Sequence, residues 1–324
     1  MLDIQYLYKL IMILLYSAFA TFAIMPYAIK KMKEYGYAVS DMHKLNKPKV
    51  PVLGGLAIFV GIMISLALSQ LLLPIEKTGK LFIFYFIVTA YAMYGLSDDI
   101  FHFQRRYDKI ITLLVLSLPI ASLMTDTILN LKFSSIELNG FYLLLLAPFY
   151  IMVVANLINI HAGFNGLGPG TTLIILIAAG IKSYLNYGLD NLIYLMPILG
   201  SLLIFIFYNW YPAKVFDGNV GAFLMGGALG SFLIINKLEL FGALVLLPNI
   251  ITFILDLYVL GIKKVPDKPF PEPRKDGLII TDKTMRFKSF KNLVCTLIPL
   301  TEKQATLLIL SITTLLCIIG VIFL

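Results

Sequence analysis

Long apolar runs separated by short polar stretches set the pattern of this chain. A membrane-crossing helix needs roughly 20 apolar residues. Ten segments come near that length: about 4–26, 53–73, 81–98, 110–126, 141–160, 171–186, 190–209, 220–236, 239–262 and 304–324. No soluble domain fits between them. The longest polar stretch, 263–303, is rich in lysine and proline and reads as a loop with a short interfacial helix. The first run is too long for a signal-peptide core and is read as the first spanning helix. The expected fold is an all-α integral membrane protein, one polytopic domain over 1–324 with about ten transmembrane helices.

Composition agrees with this reading: 59% of residues are hydrophobic and 14% charged, against about 25% charged in soluble domains. The net charge of +8 suits an anionic partner or an anionic membrane face. No nucleic-acid partner is expected. Cys295 and Cys317 have no metal or redox spacing and are expected to be buried thiols. Ten alternating spans put 27–52, 98–109, 159–170, 210–219 and 263–303 on one side. Twenty of the 26 lysines and arginines fall on that side. By the positive-inside rule that side is cytoplasmic and both termini are outside. The unusual polar motifs fall there too, which argues for one cytoplasmic active site in a multi-pass cell-membrane protein.

The strongest motif is Gly95-Leu-Ser-Asp98-Asp99, at the end of an apolar run and followed by Arg105, Arg106 and Lys109. Carboxylates at a membrane edge are expensive and suggest function. Adjacent helical residues do not face one another, so the two acids should have different neighbours and jobs. Metal binding and proton removal suit them. The bland alternative is a helix-end cap or a partner for Arg105 or Arg106. Asp41-Met-His43-Lys44 lies in the first loop. Its lysine either marks topology and touches headgroups or binds phosphate.

Three further stretches carry candidate chemistry. Asn156 and Asn159 share a helix face and precede His161-Ala-Gly163-Phe164-Asn165-Gly166. Glycines there allow close backbone approach to a ligand, although a flexible loop with an asparagine cap gives the same pattern. His161 is either a base or phosphate contact, or structural. In Phe216-Asp217-Gly218-Asn219, Asn219 is a normal N-cap. The same helix N-terminus is an anion site, and Asp217 or Asn219 can supply a metal oxygen. Arg274, in Pro271-Glu272-Pro273-Arg274, either clamps a diphosphate or is a solvated topology charge.

Taken together, these five places resemble the polyprenyl-phosphate N-acetylhexosamine-1-phosphate transferases, over nearly the whole chain and in motif order. Gly95 to Asp99 looks like the family's acidic motif. Asn156 to Gly166 resembles its Asn-x-x-Asn/Asp…Gly-x-Asn/Asp-Gly-Leu motif, and Phe216 to Gly221 its Phe-x-Gly-Asp motif. Within the family, Asp41 to Lys44, Asn159 to Leu167 and Pro271 to Arg274 look most like the dolichyl-phosphate GlcNAc-1-phosphate transferases of eukaryotes and archaea. The His-rich loop of the bacterial MurNAc-pentapeptide enzymes is absent.

The resemblance implies transfer of GlcNAc-1-phosphate from UDP-GlcNAc to a polyprenyl or dolichyl phosphate, with Mg2+ (or Mn2+) as cofactor. It implies Asp98, Asp99 and Lys44 as catalytic residues, and Asn159, Asn219 and Asp217 at the metal. Asp41, His43, Lys109, Asn156, His161, Gly163, Phe164, Asn165, Gly166 and Arg274 would bind substrate. Asn219 departs from the family pattern, which has a metal-binding Asp there, and an extra residue precedes Lys109. A homodimer is compatible with the resemblance; a eukaryotic source would place the protein in the endoplasmic reticulum membrane. The alternatives are another UDP-N-acetylhexosamine or a multi-helix transporter. A transporter would show charges in mid-span and an internal repeat, and neither is present.

Overall fold

The computed structural model of the protein describes residues 2–103, 106–124, 126–131, 133–259, 273–279 and 288–324. Each of the ten expected segments contains helix. They are α1 (Leu2–Glu34), α2 (Gly55–Ser69), α3 (Ile75–Phe101), α4 (Arg106–Ser117), α5 (Ala147–His161), α6 (Leu167–Tyr187), α7 (Met196–Asn209), α8 (Gly218–Ile235), the pair α9 (Glu239–Val245) and α10 (Leu247–Leu257), and α12 (Glu302–Phe323). A short helix, α11 (Phe290–Leu297), lies in the expected long loop.

Ten full spans are not confirmed. Among the described residues, six helices are long and apolar enough to cross a membrane, or seven if the bent α9–α10 pair counts as one. With 15 residues, α2 is about 22 Å long at 1.5 Å per residue, short of a hydrocarbon core of about 30 Å. α7 has 14 residues and α4 has 12, ending where Pro119 starts a 3-10 turn. Between α9 and α10 the chain bends by 68°, at Pro248 in the first turn of α10. Proline lacks the N–H that would continue the ladder.

The structure is consistent with an all-α membrane protein, to which two short antiparallel hairpins are added. β1 (Ala38–Ser40) pairs with β2 (Lys49–Pro51), and β3 (Ile128–Leu131) with β4 (Ser134–Glu137). Loops are shorter than expected as well. α1 runs to Glu34, α3 contains both Asp98 and Asp99, and only 162–166 separates α5 from α6.

At the centre lies α8, buried at every position from Val220 to Ile234 and packed between α3 and α5. Its apolar character all round is that of an interior helix. A Cβ on Gly226 would sit 2.5 Å from the Ala155 Cα, so only glycine lets α5 and α8 approach this closely. α1 packs on α2 and α7, where Ser201 joins Ser17 at 2.5 Å and Thr21 at 2.9 Å. Small residues and hydroxyl pairs are the usual glue between membrane helices. At Gly200 a Cβ would overlap the Leu14 carbonyl oxygen. Gly200→Ala is therefore expected to force α7 off α1, at about 1–3 kcal/mol, seen as a lowered thermal midpoint in detergent.

The bundle has two distinct ends. One gathers β1–β2, the C-termini of α3, α5 and α7, and the N-termini of α6, α8 and α12, through contacts such as Gly54 N to Phe216 O and Asn165 N to Glu302 Oε1. At the other end Tyr6 meets Asp190, and Leu324 lies beside Asn186 and Lys237. Both termini are thus at the end opposite the motif-bearing loops. The two cysteines are buried free thiols.

Candidate active site

A cavity of about 610 Å³ opens at the motif-bearing end, within the range of small-molecule sites. Its wall includes Asp41, His43, Asp99, Asn159, Gly163, Phe164, Asp217 and Asn219. The β1–β2 hairpin presents the 41–48 loop, closed by Asp41 N to Pro48 O at 2.9 Å. The 162–166 turn runs through Gly163 at φ 129° and Gly166 at φ 77°, backbone angles that favour glycine.

The acid pair divides its work as the helical spacing predicts. Asp98 is buried. Its Oδ2 accepts from Lys109 Nζ at 2.7 Å and from Asn219 Nδ2 at 3.0 Å, and its Oδ1 from Phe103 N at 3.1 Å. Asp99 faces the cavity and accepts from the backbone N–H groups of Asn219 at 3.0 Å and Val220 at 2.9 Å. It therefore satisfies the free N–H groups at the start of α8 from another helix, where a carboxylate also complements the helix dipole. This replaces the expectation that Asn219 is the N-cap. Asp217 holds that position, without a side-chain cap bond, and Asn219 is the helix's second residue. Of the expected arginine partners, Arg105 lies outside the described residues, and the acids' observed partners are Lys109, the Asn219 side chain, Phe103 N and the α8 backbone.

Asp217 carries the most telling atom. Its Oδ2 is buried with no hydrogen-bond partner among the described residues, although buried polar groups are nearly always satisfied. Burial pushes its carboxyl up to about 7, and the neighbouring Asp99 charge acts in the same direction. Asn159 makes no side-chain hydrogen bond among the described residues, and Asn219 uses only its Nδ2. Among the described residues no three His, Cys, Asp or Glu side chains form a metal cluster. A hard cation held by one carboxylate, amide oxygens and substrate phosphates needs no such cluster. Asp217, Asn159 and Asn219 are an oxygen donor set of that kind.

Lys44 and Asn165 belong to a buried network. Lys44 Nζ lies 3.2 Å from Asp41 Oδ2, 3.3 Å from Asn165 Oδ1, against Glu302 Oε2, and 4.1 Å from the Tyr211 ring centroid. Asn165 also accepts from Ala213 N at 2.8 Å and donates Nδ2 to Asp41 at 3.2 Å. These two residues join the first loop, the glycine turn and the last helix. His43, whose amide donates to Asp41 Oδ1 at 3.2 Å, packs edge-on against Phe164 at 4.8 Å.

Six expected substrate contacts do not line the cavity: Asn156, Lys109, His161, Arg274, Asn165 and Gly166. Asn156 Nδ2 bonds its own helix at Met152 O, 2.8 Å away; it faces the helix rather than the site. Lys109 is taken by Asp98. His161 is buried, with Nδ1 3.0 Å from Thr252 Oγ1 and Nε2 unpartnered. Arg274 is exposed and held by Asp276, its Nε 2.8 Å from Oδ2. Pro271 and Glu272 of the same motif lie outside the described residues. Gly166 sits against the lining residue Asn209, its N–H 3.1 Å from Oδ1, with its Cα face against Trp210.

Sequence reasoning missed Glu302, Lys291 and Asn209. Glu302 begins α12 inside a capping box made by Thr301 and Gln304, and Thr-x-x-Gln before an apolar run is a legible helix start. Nothing local marks its reach to Lys44. Asn209 holds the 209–215 turn through Nδ2 to Val215 O at 2.9 Å.

A helical membrane bundle with an acid-lined cavity at one end, a glycine turn and an oxygen donor set defines a multi-helix membrane enzyme. Residues 81–237 match the glycosyl transferase family 4 model, a match consistent with a sugar-phosphate transferase. It is 29% identical over 248 residues to a Saccharolobus solfataricus protein provisionally named UDP-N-acetylglucosamine–dolichyl-phosphate N-acetylglucosaminephosphotransferase, covering 75% of this chain and 76% of that one. A Sulfolobus acidocaldarius protein with the same provisional name is 28% identical over 306 residues, 90% and 89% of the two chains. A phospho-N-acetylmuramoyl-pentapeptide-transferase of Clostridium botulinum is 29% identical over 209 residues, 61% and 63%.

Proposed function

We propose that this protein transfers GlcNAc-1-phosphate from UDP-GlcNAc to a polyprenyl phosphate of dolichyl type, giving polyprenyl-diphospho-GlcNAc and UMP. The observation that carries this reading is the unpartnered Asp217 oxygen beside Asn159, Asn219 and Asp99 in one cavity. Relatives that cover most of the chain carry names for this reaction.

A lipid phosphate oxygen attacks the β-phosphorus of the donor, and the bond to the UMP phosphate breaks. Such transfer depends chiefly on positioning and charge neutralisation. Asp217, Asn159 and Asn219 would hold Mg2+, or Mn2+ in its place, which supplies charge neutralisation at the diphosphate. Asp99 faces the reacting phosphates and orients the acceptor. A phosphate monoester has a second pKa near 6, so little proton removal is required of it. Asp98 fixes Asn219 and Lys109. Phe164 offers an apolar wall to the uracil. The positively biased end faces the cytoplasm, and the lipid enters from the bilayer beside it.

Purified protein with UDP-GlcNAc, polyprenyl phosphate and Mg2+ is expected to release UMP and form a lipid-linked sugar, and chelation to stop both. UDP-MurNAc-pentapeptide in parallel tests the substrate assignment. UMP release from that donor alone would move the protein to the other branch of the family; none from either donor would remove the reading.

A further inference from the structure

The cations around the cavity are not equivalent. Lys44 is neutralised by Asp41 and Glu302, and Lys109 by Asp98. Lys291, on α11, is 9% exposed, and its ammonium has no carboxylate within salt-bridge distance among the described residues. Its partners among the described residues are the Ala162 carbonyl oxygen, to which it donates, and the Phe164 ring, 5.5 Å away. An ammonium has three N–H donors, so two remain unused by the described residues.

Gly163 explains how the amine comes so near. Any Cβ on Gly163 would collide with Lys291 Nζ. Ala162, Gly163 and Phe164 line the cavity, so the charge lies one backbone thickness behind the wall. A buried charge is costly unless paired, and low-dielectric surroundings strengthen its pull on an anion. A cation of this kind finds its counter-charge in the ligand.

We propose that Lys291 is a binding residue for the donor's diphosphate, acting through the side-chain-free window at Gly163. The inference rests on the transferase reading above. The charge of Lys291 also responds to pH within a useful range, because burial lowers the amine to about 8 against the pull of Glu302. The other titratable groups facing it are Lys288, Cys295 and His161.

The test is equilibrium binding of UDP and UDP-GlcNAc, at fixed Mg2+, to wild type, Lys291→Met and Lys291→Arg in detergent. Lys291→Met is expected to weaken UDP binding at least tenfold and to raise KM alike, with kcat changed less than threefold. Lys291→Arg should stay within threefold of wild type. Wild-type affinity should fall above pH 8, and that of the arginine variant should not, since arginine stays charged. Equal UDP affinity in Lys291→Met and wild type overturns the proposal. Should the methionine variant not fold, the same pH decline in wild type and Lys291→Arg overturns it. Wild type that binds neither UDP nor UDP-GlcNAc removes the transferase reading itself, and this inference with it.

Discussion

Asp217→Asn is expected to lower Mg2+-dependent UMP release about 10²- to 10³-fold, the scale for losing one preorganised electrostatic group, while the bundle stays folded. The argument is one of satisfaction. Asp217 Oδ2 is shielded from solvent and has no donor among the described residues, so there it makes no bond that asparagine would lose. Its backbone, not its side chain, holds the fold, accepting from Gly55 N at 2.9 Å and Gly221 N at 3.2 Å. Stability and activity should therefore separate. Burial pushes the folded carboxyl up to about 7 from an ordinary value of 3.8. A carboxyl raised on folding contributes stability that is complete below its unfolded value and is lost as pH rises through its folded value. Between pH 6 and 8 the thermal midpoint of metal-free wild type should thus fall relative to that of Asp217→Asn. An Asp217→Asn protein with unchanged metal-dependent turnover would show that the orphan oxygen does not hold the cation.

Lys44→Met is expected to destabilise the protein by about 3–5 kcal/mol, the range for breaking one partner out of a buried ion pair. Asp41 is 3% and Glu302 2% exposed, and both would face one another without their shared ammonium. The double variant Lys44→Met/Glu302→Gln should recover part of the loss, because it removes one of the stranded charges. Thermal unfolding of the single and double variants in detergent reads this coupling. A Lys44→Met protein with the wild-type midpoint but a much raised KM would instead place the ammonium on substrate phosphate.

Much of the site could be read in the chain before folding. The 98–99 acids, the 159–166 turn and Asp217 with Asn219 all stand out as polar residues after long apolar runs, and the structure brings Asp99, Asn159, Gly163, Phe164, Asp217 and Asn219 to one cavity. The division between Asp98 and Asp99 was also legible, because a helix turns neighbours about 100° apart. What could not be read were partners remote in sequence. Asp99 caps a helix 120 residues away, and Lys44 is held by a glutamate 258 residues away. Span length misled in a regular way. Apolar runs interrupted by Pro119 and Pro248 looked continuous in hydropathy, but their backbone ladders break at proline.

The sequence by itself determined that this protein is a helical membrane bundle. Uninterrupted apolar runs leave the backbone no partners in lipid but its own, and that demand is local, so it can be read from each segment alone. The sequence also named the polar loops that must carry the chemistry. Only the tertiary structure decided which polar groups there are already satisfied and which are not. Lys44, Lys109, Asn165 and Asp98 are spent on protein partners; among the described residues an Asp217 oxygen and two donors of Lys291 are not. That distinction belongs to pairs of atoms meeting across the fold, and no single stretch of chain contains both members.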